Sequence, residues 1–254
     1  MGKVRAARRG TRTEALDPLA DLLRRSTRLR GAPRGAFAAC VRAWWREHEL
    51  ATHPTVVGKR IALLLLEQPR TEPKLAAIAL LTQQLGDHLC ESDLAAFERL
   101  FVDGHLAEPV VVDGFSLQVL GMLLAREPER TEVARVIAGW REAETDWQRR
   151  AACLAFSALA ARSTEVVPQE LDRAFALCAA VVWSPGDVDQ TAVGAALREL
   201  GRVVPERVEA FVRRHARLMS KECARASVAR LPADVRAELL AHHKRATSLR
   251  LAAR

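Results

Sequence analysis

Leu75-Ala-Ala-Ile-Ala-Leu-Leu81, Arg150-Ala-Ala-Cys-Leu-Ala-Phe156 and Thr191-Ala-Val-Gly-Ala-Ala-Leu197 are three copies of one small, apolar heptapeptide. A degenerate copy, Asp113-Gly-Phe-Ser-Leu-Gln-Val119, lies between the first two, so the units start at 75, 113, 150 and 191, with spacings of 38, 37 and 41 residues. Cys223-Ala-Arg-Ala-Ser-Val-Ala229 is a fainter echo nearer the C-terminus. Self-similarity at this period marks a chain of stacked helical units. Small residues let one helix of each unit approach its neighbours closely, and equivalent positions in successive units line up along one face. Asp113 and Arg150 both open their units, so they are expected on the same face.

The spacings suit HEAT or armadillo units of paired or triple helices, and the remaining sequence reads as all-α. Asp17-Pro18 supplies an N-cap and a proline at the first helical position, with Leu19, Leu22 and Leu23 as the apolar face that follows. A second helix carries Val41, Trp44 and Trp45; others open at His53-Pro54, Thr71-Glu-Pro73 and Ser92-Asp93. Residues 104–112 read as a connection or short extended stretch before a helix beginning near Asp113. Further helices are expected over 130–140, 145–162, 168–182, 187–201, 205–218, 220–230 and 232–247. They are separated by Glu127-Pro128, Val167-Pro168, Ser184-Pro-Gly186, Val204-Pro205 and Leu231-Pro232. The expected organisation is a basic tail (1–12), one HEAT-like solenoid domain (13–243) and a second basic tail (244–254).

At 254 residues and 49% hydrophobic, the chain can bury a substantial core, and no apolar run of membrane-spanning length interrupts it. The basic start lacks the apolar stretch of a secretory signal. The five cysteines stand singly in apolar surroundings and read as buried, reduced thiols, which points to the cytoplasm. The net charge of +8 is concentrated at the ends: residues 1–12 hold five cations, residues 244–254 hold four, and neither segment has an acid, so the body carries no excess of positive charge. Such ends either add salt-sensitive affinity for phosphate or merely solubilise the chain. Phosphate-loop, HExxH and GxGxxG signatures are absent, and the adjacent His242-His243 reads as an ordinary surface pair.

Glu108-Pro-Val-Val-Val-Asp113-Gly-Phe115 and Thr145-Asp-Trp147-Gln-Arg149-Arg150-Ala-Ala152 resemble segments of the AlkD-like DNA alkylation-repair glycosylases. The resemblance continues through Gln190-Thr-Ala-Val-Gly194, Leu197-Arg198-Glu199-Leu200 and Pro205-Glu-Arg-Val208, and covers roughly residues 60–240. It implies a solenoid with a concave DNA-binding face that removes cationic N3-alkyladenine and N7-alkylguanine types from double-stranded DNA as a monomer, without metal or organic cofactor. Asp113 matches the family's catalytic carboxylate, a group that stabilises an oxocarbenium-like sugar and orients water; from the residues alone it also reads as an N-cap. Arg150 matches a phosphate-contacting arginine, or else pairs with Asp146 four residues earlier. Trp147 reads as packing or as a stacking platform, and Arg149 as a weaker DNA contact. Arg207, Arg213, Arg214, Arg217, Lys221, Arg225 and Arg230 form a basic run, set against Glu206, Glu209 and Glu222, that grips the backbone or faces solvent.

Two tryptophans of the family's lesion cleft are replaced here by Pro109 and Ala195. Loss of both rings removes stacking and cation–π attraction toward a charged base. Two readings follow: a cleft widened for bulky minor-groove adducts, as in self-resistance to a DNA-alkylating natural product, or a noncatalytic DNA-binding or protein-scaffold relative. None of the five lysines is near Asp113 in sequence, so a monofunctional glycosylase is expected.

Overall fold

The computed structural model describes residues 17–126, 130–162 and 168–252. Among them there are helices and no strands: α1 (Pro18–Thr27), α2 (Arg34–Glu47), α3 (Thr55–Leu66), α4 (Thr71–Gln83), α5 (Leu94–Val102), α6 (Pro109–Phe115), a π-helical turn (Ser116–Leu120), α7 (Gly121–Leu124), α8 (Arg130–Gly139), α9 (Asp146–Arg162), α10 (Pro168–Val181), α11 (Asp187–Leu200), α12 (Pro205–His215), α13 (Lys221–Ser227) and α14 (Ala233–Ala252). This is the expected all-α helical-repeat solenoid. Helices α2, α4, the α6–π–α7 run, α9, α11 and α13 pack in succession as one row, and each is preceded by a helix of a second row. Buried side chains form one cluster from Leu22 in α1 to Leu239 in α14.

Local chemistry starts the helices where proline and caps predict. The Asp17 side chain accepts from Leu19 N at 3.1 Å, and the Trp44 indole donates to the Pro18 carbonyl at 2.9 Å, tying α2 to the start of α1. The recurring heptapeptides lie in α4, α9 and α11, where Ala76, Ala77, Ala151, Ala152, Ala155 and Ala192 are fully buried between neighbours. At Gly194 an added Cβ would stand 3.0 Å from the Ala226 methyl and 3.2 Å from Cys223 backbone, so α11 and α13 meet almost backbone to backbone. At Gly121 it would stand 2.8 Å from the Ala158 methyl of α9. Gln190 closes the same junction from inside: its amide nitrogen donates to the carbonyls of Val182, Ser184 and Leu218, and its oxygen accepts from Ser220 N.

Several expectations need correction. The helix carrying Asp113 begins at Pro109, because a proline at the first helical position leaves no orphan N–H; Glu108 is its extended N-cap, so Asp113 is interior and caps nothing. Helix α14 continues to Ala252, through much of the expected C-terminal tail, while the N-terminal tail and Glu127-Pro128 lie outside the described residues. Of the five free cysteines, Cys153, Cys178 and Cys223 are buried but Cys40 and Cys90 only partly. Burial pushes the Cys223 thiol up to about 12. His243 is not a surface residue: it is buried and hydrogen-bonds the Met219 carbonyl through Nε2 at 3.0 Å, while His242 turns to the Arg213 carbonyl.

Candidate active site

The position of Asp113 is set one turn upstream. Glu108 is held by the buried Lys74 of α4, whose ammonium donates to Glu108 Oε1 at 3.0 Å and to the His105 carbonyl at 2.7 Å, and by the Thr71 hydroxyl. Burial opposes the Glu108 charge, but these donors outweigh it and hold the carboxyl below its usual range. The start of α6 is thereby fixed to the preceding unit. Three residues after Asp113 the backbone passes into the π turn, with the Ser116 hydroxyl donating to the Val112 carbonyl at 2.6 Å. A π turn widens the helix locally and is frequent at functional sites.

The first residues of three successive repeats form one hydrogen-bonded row. Arg150 donates from Nε to Asp113 Oδ1 at 2.7 Å and from Nη2 to Oδ2 at 2.9 Å, a two-point pair, and from Nη1 to the Thr191 hydroxyl at 2.9 Å. Thr191 in turn hydrogen-bonds back to the Asp187 carbonyl at 2.8 Å. The Arg150 side chain is 9% exposed and that of Asp113 32%, so the arginine is the buried support and the carboxylate the accessible end. Arg150 therefore pairs with Asp113 across the repeat and not with Asp146 on its own helix.

Asp113 opens into a cleft of about 340 Å³. Leu117, Leu154, Ala158 and Ala195 supply its apolar wall, and Ser157, Arg198 and Glu199 its polar edge. Ala195 thus lines the same space as Asp113. Pro109 does not: it is exposed at the start of α6. Trp147 is half-buried and packs against the core.

The other sequence candidates lie elsewhere. Arg149, one position from Arg150, points roughly 100° away around the helix. Its Nε and Nη2 engage the fully buried Asp189 at 3.1 and 2.6 Å, and Nη1 donates to the Ala143 carbonyl at 2.7 Å. Hydrogen bonding to Asp189 outweighs burial and pushes this guanidinium further up. Helix α12 belongs to the other row, packed beside α10 through Phe175 and Phe211. On it, Arg213 bridges Glu209 and Glu238 at 2.8 and 3.0 Å, and Arg214 borders a groove with Phe175, Phe211 and His215. Arg217 follows the end of α12 and Lys221 opens α13, and both are exposed.

The residues not singled out from sequence are Thr191, Leu117, Leu154, Ser157, Ala158, Arg198 and Glu199. A helical-face count from the repeat starts finds all of them. No group of three potential metal ligands occurs among the described residues.

A stack of paired helices that places a carboxylate, backed by a buried arginine, at an open cleft defines a helical-repeat protein with a charged site on the row formed by its repeat-opening residues. Residues 9–231 match the DNA alkylation repair enzyme family, and the chain belongs to it. Its role lies in the repair of alkylation damage, with DNA as the partner. No curated protein matches the sequence. Among the described residues, no helix is long and apolar enough to cross a membrane.

Proposed function

We propose that the protein is a monofunctional DNA glycosylase that hydrolyses the N-glycosidic bond of alkylated purines, with Asp113 as the catalytic group and Arg150 as its positioning residue. The observation that carries this is the Asp113 carboxylate, held at two points by Arg150 and exposed to the cleft. An alkylated purine is cationic and leaves with the bonding electron pair, so positive charge grows on the sugar. A carboxylate about 4 Å from that charge stabilises it by about 4 kcal/mol at an effective dielectric of 20. Arg150, behind the carboxylate, cancels part of this field but fixes its direction. A carboxylate offers about four acceptor positions; those not used by Arg150 orient the water that attacks C1′ and take its proton.

Among the described residues that line the cleft there is no aromatic ring and no lysine. The first feature favours recognition of a bulky adduct by apolar contact, as minor-groove adenine adducts in self-resistance would require. The second favours simple hydrolysis to an abasic site over a Schiff-base step. The same missing rings support a second reading, a DNA-binding relative without chemistry. Both are tested by base release from duplexes carrying small N-methyl purines or bulky minor-groove adenine adducts. Release that falls about 100-fold or more in Asp113→Asn is expected. No release from either duplex, with salt-sensitive binding retained, overturns the catalytic reading and leaves the binding one.

A further inference from the structure

At the edge of the cleft three arginines surround one carboxylate. Arg198 Nε is 3.6 Å from Glu199 Oε1, Arg202 Nη1 3.7 Å from Oε2, and Arg230 Nη2 4.0 Å from Oε1. None of these distances is a hydrogen bond, in contrast to the 2.7 Å contact of Arg150 with Asp113. The arginine side chains are 49%, 58% and 42% exposed. Among the described residues Glu199 is the one carboxylate within ion-pair distance of the three, which leaves two of the three positive charges uncompensated there. The C-terminus of α11 would attract Arg198 and Arg202 unaided, but Arg230 comes from the α13–α14 connection. It reaches the cluster because its Cβ packs 3.6 Å from where a side chain on Gly201 would begin. Arg150 cannot substitute for this cluster cheaply, since three of its five N–H donors are directed at Asp113 and Thr191.

We propose that Arg198, Arg202 and Arg230 form the site for a DNA backbone phosphate beside the cleft, with Glu199 as the internal anion that the phosphate displaces. This rests on the reading of DNA as the partner and adds where the strand is held. Loosely paired, exposed guanidiniums release their carboxylate at little cost, and a phosphodiester offers them two charged oxygens in hydrogen-bonding range.

The test is equilibrium binding of an undamaged, random-sequence duplex, followed by fluorescence anisotropy over a range of salt. The double variant Arg202→Gln/Arg230→Gln is expected to weaken binding equally across sequences and to lower the steepness of log K against log salt by about 0.9, the contribution of one phosphate, or about 3-fold in affinity between 50 and 200 mM, and each single variant by a part of this. Arg202→Lys keeps the slope, Glu199→Gln tightens binding, and Arg213→Gln, whose guanidinium is spent on two glutamates, leaves the slope unchanged. Salt-sensitive binding whose slope is untouched by Arg202→Gln and Arg230→Gln overturns the inference while DNA remains the partner. Weaker binding by Glu199→Gln overturns the displacement role, and absence of any duplex binding by the unaltered protein overturns both the inference and the reading beneath it.

Discussion

Asp113 and Arg150 should behave as one thermodynamic unit, and a double-mutant cycle measures how strongly. Asp113→Asn keeps the shape of the side chain. Its amide oxygen still accepts one N–H from Arg150, but its amide nitrogen presents a donor to the other, so one charge-assisted bond is lost and the second becomes neutral on one side. Hydrogen bonds to charged groups contribute about 1.5–3 kcal/mol. With Arg150 only 9% exposed and Asp113 32%, the pair falls between a solvated surface pair, worth about 0–1 kcal/mol, and a fully buried one, whose disruption costs about 3–5 kcal/mol. A loss of about 2 kcal/mol is expected, which lowers the melting temperature by roughly 4–8 °C in a chain of this size. Arg150→Met removes the cation while filling the space of its stem, and should cost about 1–2 kcal/mol because water reaches the freed carboxylate. The double variant should lose far less than the sum, giving a coupling energy of about 1.5–2 kcal/mol from urea unfolding followed by circular dichroism. Additivity within about 0.5 kcal/mol would show that the two-point pair does not orient Asp113, and the argument that the carboxylate is preorganised would fall.

Two further outcomes follow from the helix contacts around the site. Arg149→Gln strands the fully buried Asp189 and should destabilise the fold by about 3–5 kcal/mol, yet leave the salt dependence of duplex binding unchanged, a combination that unfolding and anisotropy measurements resolve. Gly121→Ala forces two methyl carbons into 2.8 Å and should cost about 1–3 kcal/mol of packing strain; adding Ala158→Gly should restore the lost melting temperature, and failure of that rescue would refute the close approach of α7 to α9.

Most of the fold was legible because proline, glycine and the recurring heptapeptide punctuate the chain at intervals that helices obey. Of the residues expected in the cleft only Ala195 lines it beside Asp113, while Pro109 and Trp147 do not, yet the repeat itself points to the rest. From the repeat starts Asp113, Arg150 and Thr191, steps of one and two helical turns lead to Leu117, to Leu154, Ser157 and Ala158, and to Ala195, Arg198 and Glu199, which together with Asp113 line the cleft. What periodicity does not carry is the identity of a partner on another helix. Lys74 meets Glu108 across 34 residues, and the π turn after Asp113 has no local signal that separates it from α-helix.

Charge shows the difference most sharply. Arg213, Arg214, Arg217 and Lys221 form the denser basic run in sequence, but a run counts cations without the carboxylates that other segments bring to them, and Glu238 of α14 meets Arg213 only in the folded chain. Arg198, Arg202 and Arg230 are scattered over 33 positions, and no linear window groups them. Folding brings them together because the α13–α14 connection closes over Gly201 at the end of α11, and it supplies one glutamate for three guanidiniums. A polyanion responds to that local surplus at the cleft, not to the net charge of the chain or of any stretch of it.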